Sequence, residues 1–158
     1  MASQEETRKK LIKIGRCFAA ELVGTAILTF CATEKAVLNN TSIGGDAISE
    51  EDAVTTNALA AGFSLIFLIY SLANVSGGHV NPAVTWAFVL TGRLPPLMGV
   101  VYFIAQFLGG LIGAGLLAAF SGVENFRGLL ALHPGISVQE GLGTETFLTF
   151  LFVFVIFK

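Results

Sequence analysis

Six residues in this chain are equipped to handle a polar solute inside an apolar setting: Gly77, Gly78, His79, Asn81, Pro82 and Ala83. Asn is a strong helix N-cap, and Pro suits the first helical position, where its missing N–H leaves nothing unbonded. With its side-chain oxygen on the cap, Asn81 keeps an amide NH2 free to donate. The helix N-terminus adds roughly half a positive charge at the same point. A water would turn its oxygen toward these donors, whereas a cation or hydrated proton would meet an unfavourable potential. Gly77 and Gly78 allow close backbone approach without a side chain in the way. His79 reads as a structural residue in preference to a pH sensor. Glu21, Gln106 and Glu145 lie within apolar stretches, where a polar side chain is costly and needs a purpose. A proton relay through the two acids is disfavoured by the lack of a chain of titratable groups in the spans, and Gln106 reads as a buried hydrogen-bonding strut.

The elements that carry these residues are those of an all-α membrane protein. Of 158 residues, 54% are hydrophobic, fourteen are Phe and 13% are charged, against about 25% charged in soluble domains. Mean hydropathy is +0.76. Four spans are expected, near Cys17–Leu38, Ala53–Asn74, Leu97–Phe120 and from Gly141 onward, each able to cross a core of about 30 Å. The apolar run Ala83–Leu90 falls far short of the roughly 20 residues that crossing requires. Capped at Asn81 and preceded by Gly-rich chain, it reads as a re-entrant half-helix. Such backbone survives at membrane depth when buried in protein or lining a watery cavity. Residues 1–16 form a polar, basic, cytoplasmic tail with no convincing signal peptide, and residues 17–158 the transmembrane domain. Cys17 and Cys31, about four turns apart on one helix, read as packing thiols. No zinc spacing, Ser/His/Asp order or phosphate loop occurs; no enzyme activity, metal, cofactor or nucleic-acid partner is expected.

Charge sets the expected orientation. Arg8, Lys9, Lys10, Lys13, Arg16, Arg93 and Lys158 fall on one side and Lys35 and Arg127 on the other, which places the N-terminus in the cytoplasm. The bilayer is the first partner, and the plasma membrane the expected location. Asn39 and Asn40 open two overlapping glycosylation sequons in the loop that is then extracellular. A faint repeat is also present: Ala20-Glu21…Phe30 resembles Thr144-Glu145…Phe154. A first repeat over about 17–120, a loop at 121–140 and the first helix of a second repeat at 141–158 fit an inverted-repeat plan.

His79-Val-Asn-Pro-Ala-Val-Thr-Trp-Ala87 is similar to the first signature of the aquaporin, or major intrinsic protein, family. Ala20-Glu21-Leu-Val-Gly-Thr25, Ala105-Gln106 with Gly109 and Gly110, and Gly141-Leu-Gly-Thr-Glu145 fall on further family elements. The resemblance implies a helical bundle with a lumen for water and small neutral solutes, two half-helices meeting at midplane, and homotetramers. It also implies that the backbone carbonyls of Gly77, Gly78 and His79 line the lumen as acceptors, and that Glu21 and Glu145 are buried acids accepting hydrogen bonds from re-entrant-loop backbone. By the same resemblance, the selectivity constriction takes a residue from the second span about five and a half turns before Asn81, here Ala61. Small Ala in place of a bulky side chain implies room for glycerol, urea or ammonia. Against the family pattern, the second Asn-Pro-Ala, the constriction Arg and two spans are absent from residues 1–158. Four spans and one half-helix are therefore expected, with the second half-helix due about 40–50 residues past the end. The truncated chain is not expected to conduct alone. Alternatives are a non-conducting isoform that co-assembles with full-length relatives, or a junctional adhesion protein.

Overall fold

The computed structural model describes residues 2–38, 50–121, 132 and 135–157, all helix or connecting turn. In chain order the elements are α1 (Ala2–Leu38), α2 (Glu50–Leu72), α3 (Pro82–Leu90), α4 (Pro96–Ser121) and α5 (Val138–Phe157). Four of them, α1, α2, α4 and α5, are long and apolar enough to cross a membrane; α3, of nine residues, is not. The expected all-α membrane architecture is present. The sequons at Asn39 and Asn40, Arg127 and most of the 121–140 loop lie outside the described residues.

Two boundaries differ from the sequence reading. The N-terminal tail is continuous helix with the first span, giving α1 37 residues and a length of about 55 Å. Glu5–Lys9 at 2.8 Å and Glu6–Lys10 at 3.0 Å explain the extension: both pairs are i,i+4 with the acid first, the favourable order on a helix. At the other end of the chain, α5 begins three residues before Gly141. Ser137 Oγ accepts the Glu140 N–H at 3.3 Å, and Glu140 Oε2 accepts the Ser137 N–H at 2.8 Å. This is a capping box, with two orphan donors satisfied reciprocally.

The core is the seam between α1 and α4, with α2 also packed on α1. The two seam helices run parallel: Glu21 meets Gln106, Ala26 meets Gly113, and Phe30 meets Phe120 edge-on at 6.1 Å. Gly109 and Gly113 set the separation. A Cβ at Gly109 would collide with the Leu22 carbonyl, and one at Gly113 with the Ala26 carbonyl. In lipid, where apolar side chains gain little by leaving one hydrocarbon surface for another, such close backbone approach drives helix association. Ala20, Ala26, Ala105 and Leu117 are buried along this seam. In contrast α5 packs chiefly on α3 and has no buried residue.

Candidate functional site

The site is built where α2 ends and the chain doubles back into α3. The helix stops at Leu72, and Val75 N–H and Ser76 N–H both bond to the Leu72 carbonyl, at 2.9 and 3.0 Å. Gly77 at φ 94°, Gly78 at φ 63° and Val80 at φ 40° then turn the backbone through left-handed conformations. Gly adopts these freely. For Gly78 there is a second demand, since a Cβ would sit 3.2 Å from the Ile69 Cα. Val80 is β-branched, and positive φ there costs on the order of 1–3 kcal/mol.

Glu21 holds that strain in place. Its side chain is fully buried, and its carboxyl oxygens accept four hydrogen bonds. Oε1 takes the Ser76 hydroxyl at 2.6 Å and the His79 N–H at 3.0 Å. Oε2 takes the Val80 N–H at 2.7 Å and Gln106 Nε2 at 2.8 Å. Backbone donors converging on one acid in this way form an anion nest, here occupied by a side chain of α1. Val80 is itself pinned against α1: a Cβ on Gly24 would come within 2.6 Å of its Cγ1.

Further tethers reach the same loop from α1 and α4. The Tyr102 hydroxyl donates to the Ser76 carbonyl at 2.6 Å, and the Cys17 thiol donates to the Val75 carbonyl at 3.2 Å. Gln106 Nε2 also donates to Thr85 Oγ at 2.9 Å, and the Thr85 hydroxyl donates to the Asn81 carbonyl at 3.1 Å. With the Thr85 proton so placed, His79 Nδ1, 3.1 Å from the same oxygen, is the donor of that pair. The imidazole is buried and stacks at 4.4 Å on Phe88 and at 5.2 Å, edge-on, on Tyr102.

Asn81 begins α3. Its backbone is extended, and its Oδ1 accepts the Ala83 N–H at 2.8 Å, with Pro82 at the first helical position. Among the described residues no hydrogen bond involves its Nδ2, nor the carbonyls of Gly77, Gly78 and His79. The C-terminus of α3 closes in a Schellman motif. Gly92, at φ 72°, donates to the Val89 carbonyl at 3.0 Å, and Arg93 to the Phe88 carbonyl at 2.9 Å. The Arg93 guanidinium lies 4.8 Å over the Phe157 ring, which ties the end of α5 to this corner.

The structure thus brings together Glu21, Gln106, Gly77, Gly78, His79 and Asn81. Two expected site residues lie elsewhere. Glu145, expected to be buried, is exposed on α5, because the helices that surround Glu21 have no counterpart around α5 among the described residues. Ala61 is half-buried within α2, about 17 Å along the axis from Leu72. About three of the five and a half turns expected between it and Asn81 are helix; the rest is the irregular loop. Ser76, Thr85, Tyr102 and Cys17 were not singled out as partners of the site. Ser76 directly before a Gly pair and Tyr102 in an apolar helix were the available signals.

Known proteins share this pattern. The family model for major intrinsic protein matches residues 8–158. A probable aquaporin TIP2-2 of Oryza sativa subsp. japonica is 34% identical over 90% of this chain and 56% of its own length. Lens fiber major intrinsic protein of Bos taurus is 41% identical over 63% of this chain and 39% of its own length. Aquaporin FA-CHIP of Pelophylax lessonae is 34% identical over 87% of this chain and 53% of its own length. This chain therefore spans between about two fifths and three fifths of the curated relatives it matches. A match over all but the first seven residues, on a fold that buries Glu21 against the loop before Asn81, decides the family: the chain belongs to the major intrinsic proteins, a family of multi-pass membrane channels.

Proposed function

We propose that this chain contributes half of a pore for water and small neutral solutes such as glycerol, urea and ammonia, with ions and protons excluded. The carrying observation is the Asn81-capped half-helix, its irregular lead-in fastened to Glu21. The free Asn81 amide and the α3 N-terminus would present donors to passing solute oxygens, and the carbonyls of Gly77, Gly78 and His79 would present acceptors. Ala61 would leave the constriction wide. The N-terminus would face the cytoplasm of a plasma-membrane protein, since Arg16 and Arg93 lie at the same end of the parallel α1 and α4. Cargo passes without covalent change, so the reading is a channel in preference to an enzyme.

A second reading is favoured by α5, which is unburied along its length and exposes Glu145. Residues 1–158 would then need additional protein surface, from homotetramer neighbours or from co-assembly with a full-length relative, and would not conduct alone.

The test of the first reading is labelling. With Cys17 and Cys31 changed to Ser, Asn81→Cys should react with a small membrane-impermeant thiol reagent in an intact assembly; a site sealed from both sides refutes the lumen. The second reading is tested by swelling of vesicles carrying this chain alone, a full-length relative alone, or both. Flow through the chain alone overturns it. In a conducting assembly, Ala61→Phe should slow glycerol uptake while sparing water; equal loss of both removes Ala61 from the constriction.

A further inference from the structure

The N-terminal end of α1 carries a feature outside the half-helix site. Lys9, Lys13 and Arg16 recur at i, i+4 and i+7, which puts all three on one helix face. That face, with Ile12, lines a cavity of about 300 Å³ whose opposite wall is Asn74 and Val75, in the turn after α2. Lys9 shares its charge with Glu5. Among the described residues, Lys13, Arg16 and the Asn74 side-chain amide have no ion pair or hydrogen bond. Two unpaired cations and a neutral amide facing one cavity have no internal anion to neutralise them.

We infer that this cavity binds the phosphate of an anionic phospholipid. Position favours a lipid over a free phosphate. Cys17, the next residue after Arg16, is already buried and bonded to the loop, so the cations stand where the packed bundle begins. Leu11 and Ile12 beside them are 64% and 51% exposed, and apolar side chains flanking cations suit the boundary between headgroups and acyl chains. Lys and Arg can lay their stems along that apolar surface and keep their charge at phosphate level. Basic pockets between helices at the cytoplasmic surface recognise anionic headgroups by this chemistry. Because Asn74 and Val75 belong to the turn that leads into Ser76, a headgroup there would brace the outer side of the loop that Glu21 holds from within.

The test uses the full chain in a neutral detergent, titrated with a fluorescent short-chain phosphatidylserine and read by polarisation. Phosphatidylcholine and inorganic phosphate serve as separate arms. Saturable phosphatidylserine binding is expected, weakened by salt. Lys13→Gln with Arg16→Gln should lower affinity about 25-fold, at about five-fold per cation. Lys10→Gln, off this face and paired with Glu6, should change it by less than about two-fold. Equal binding of phosphatidylcholine overturns the proposal, as does equal loss on Lys10→Gln. Inorganic phosphate that displaces the lipid at matched concentration also overturns it, assigning the cavity to a free anion. All three substitutions are at exposed positions, so unchanged helical circular dichroism keeps the comparison valid.

Discussion

Glu21 and Glu145 occupy matching places in a faint sequence repeat and end in opposite surroundings. Glu21 is fully buried and accepts four hydrogen bonds; Glu145 is exposed on a helix with no buried residue. The difference does not come from the acids or from local helix propensity. It comes from what each helix meets. Glycines let α4 approach α1 closely, and the loop before α3 brings backbone donors to Glu21; α5 meets chiefly α3. A polar group in an apolar span is stabilising only where the rest of the fold supplies partners for it.

The largest expected effect is at the satisfied end of this comparison. Glu21→Ala orphans three buried donors and the part-buried Ser76 hydroxyl, at about 1–3 kcal/mol for each buried donor, and releases the loop. Thermal unfolding in detergent should show a loss of several kcal/mol, and a small loss would mean that the Tyr102 and Cys17 tethers suffice. Next comes Gly113→Val, which forces the Val side chain into the Ala26 carbonyl and Thr29. Overpacking of this kind costs about 1–3 kcal/mol or more, visible as a lowered Tm; an unchanged Tm would refute the close seam. Asn81→Ala removes a helix cap worth about 1 kcal/mol. Stability should fall by that amount while α1 and α4 stay packed, as hydrogen exchange of their amides would report. The smallest effect is expected from Glu145→Gln in the chain alone, within about 0.5 kcal/mol. The same substitution tested beside a full-length relative sharpens the contrast: a larger loss there would show that assembly covers α5.

Much of this contrast was legible in the sequence. Asn81-Pro82 with Gly77-Gly78 marked the half-helix because capping and left-handed turns are local matters, decided by a few adjacent residues. The Ser137-Val-Gln-Glu140 capping box and the Glu5–Lys9 and Glu6–Lys10 pairs were equally local and were overlooked; they extend α5 and α1 past the expected ends. Other features had no local sign. Nothing near Tyr102 announces that its hydroxyl meets the Ser76 carbonyl 26 residues away, nor that Val80 adopts positive φ. These follow from helix packing, which sequence periodicity suggests without fixing. The exposure of Glu145 has the same origin: its resemblance to Glu21 is in sequence, and burial depends on neighbours.

The order in which the chain is made gives the Glu21 node one more consequence. Its partners follow 55 to 85 residues later, so during synthesis at about 5–20 residues per second the acid waits roughly 3 to 17 s for them. An acidic side chain inside an inserted helix costs about 2.5–3.5 kcal/mol at the centre and less toward the ends, and α1, with Glu21 about one turn into the span, carries part of that penalty until α4 arrives with Gln106. The nascent first helix is therefore a provisional resident of the bilayer, retained by its flanking apolar turns or by the insertion machinery. Its place becomes permanent when the loop folds back onto Glu21.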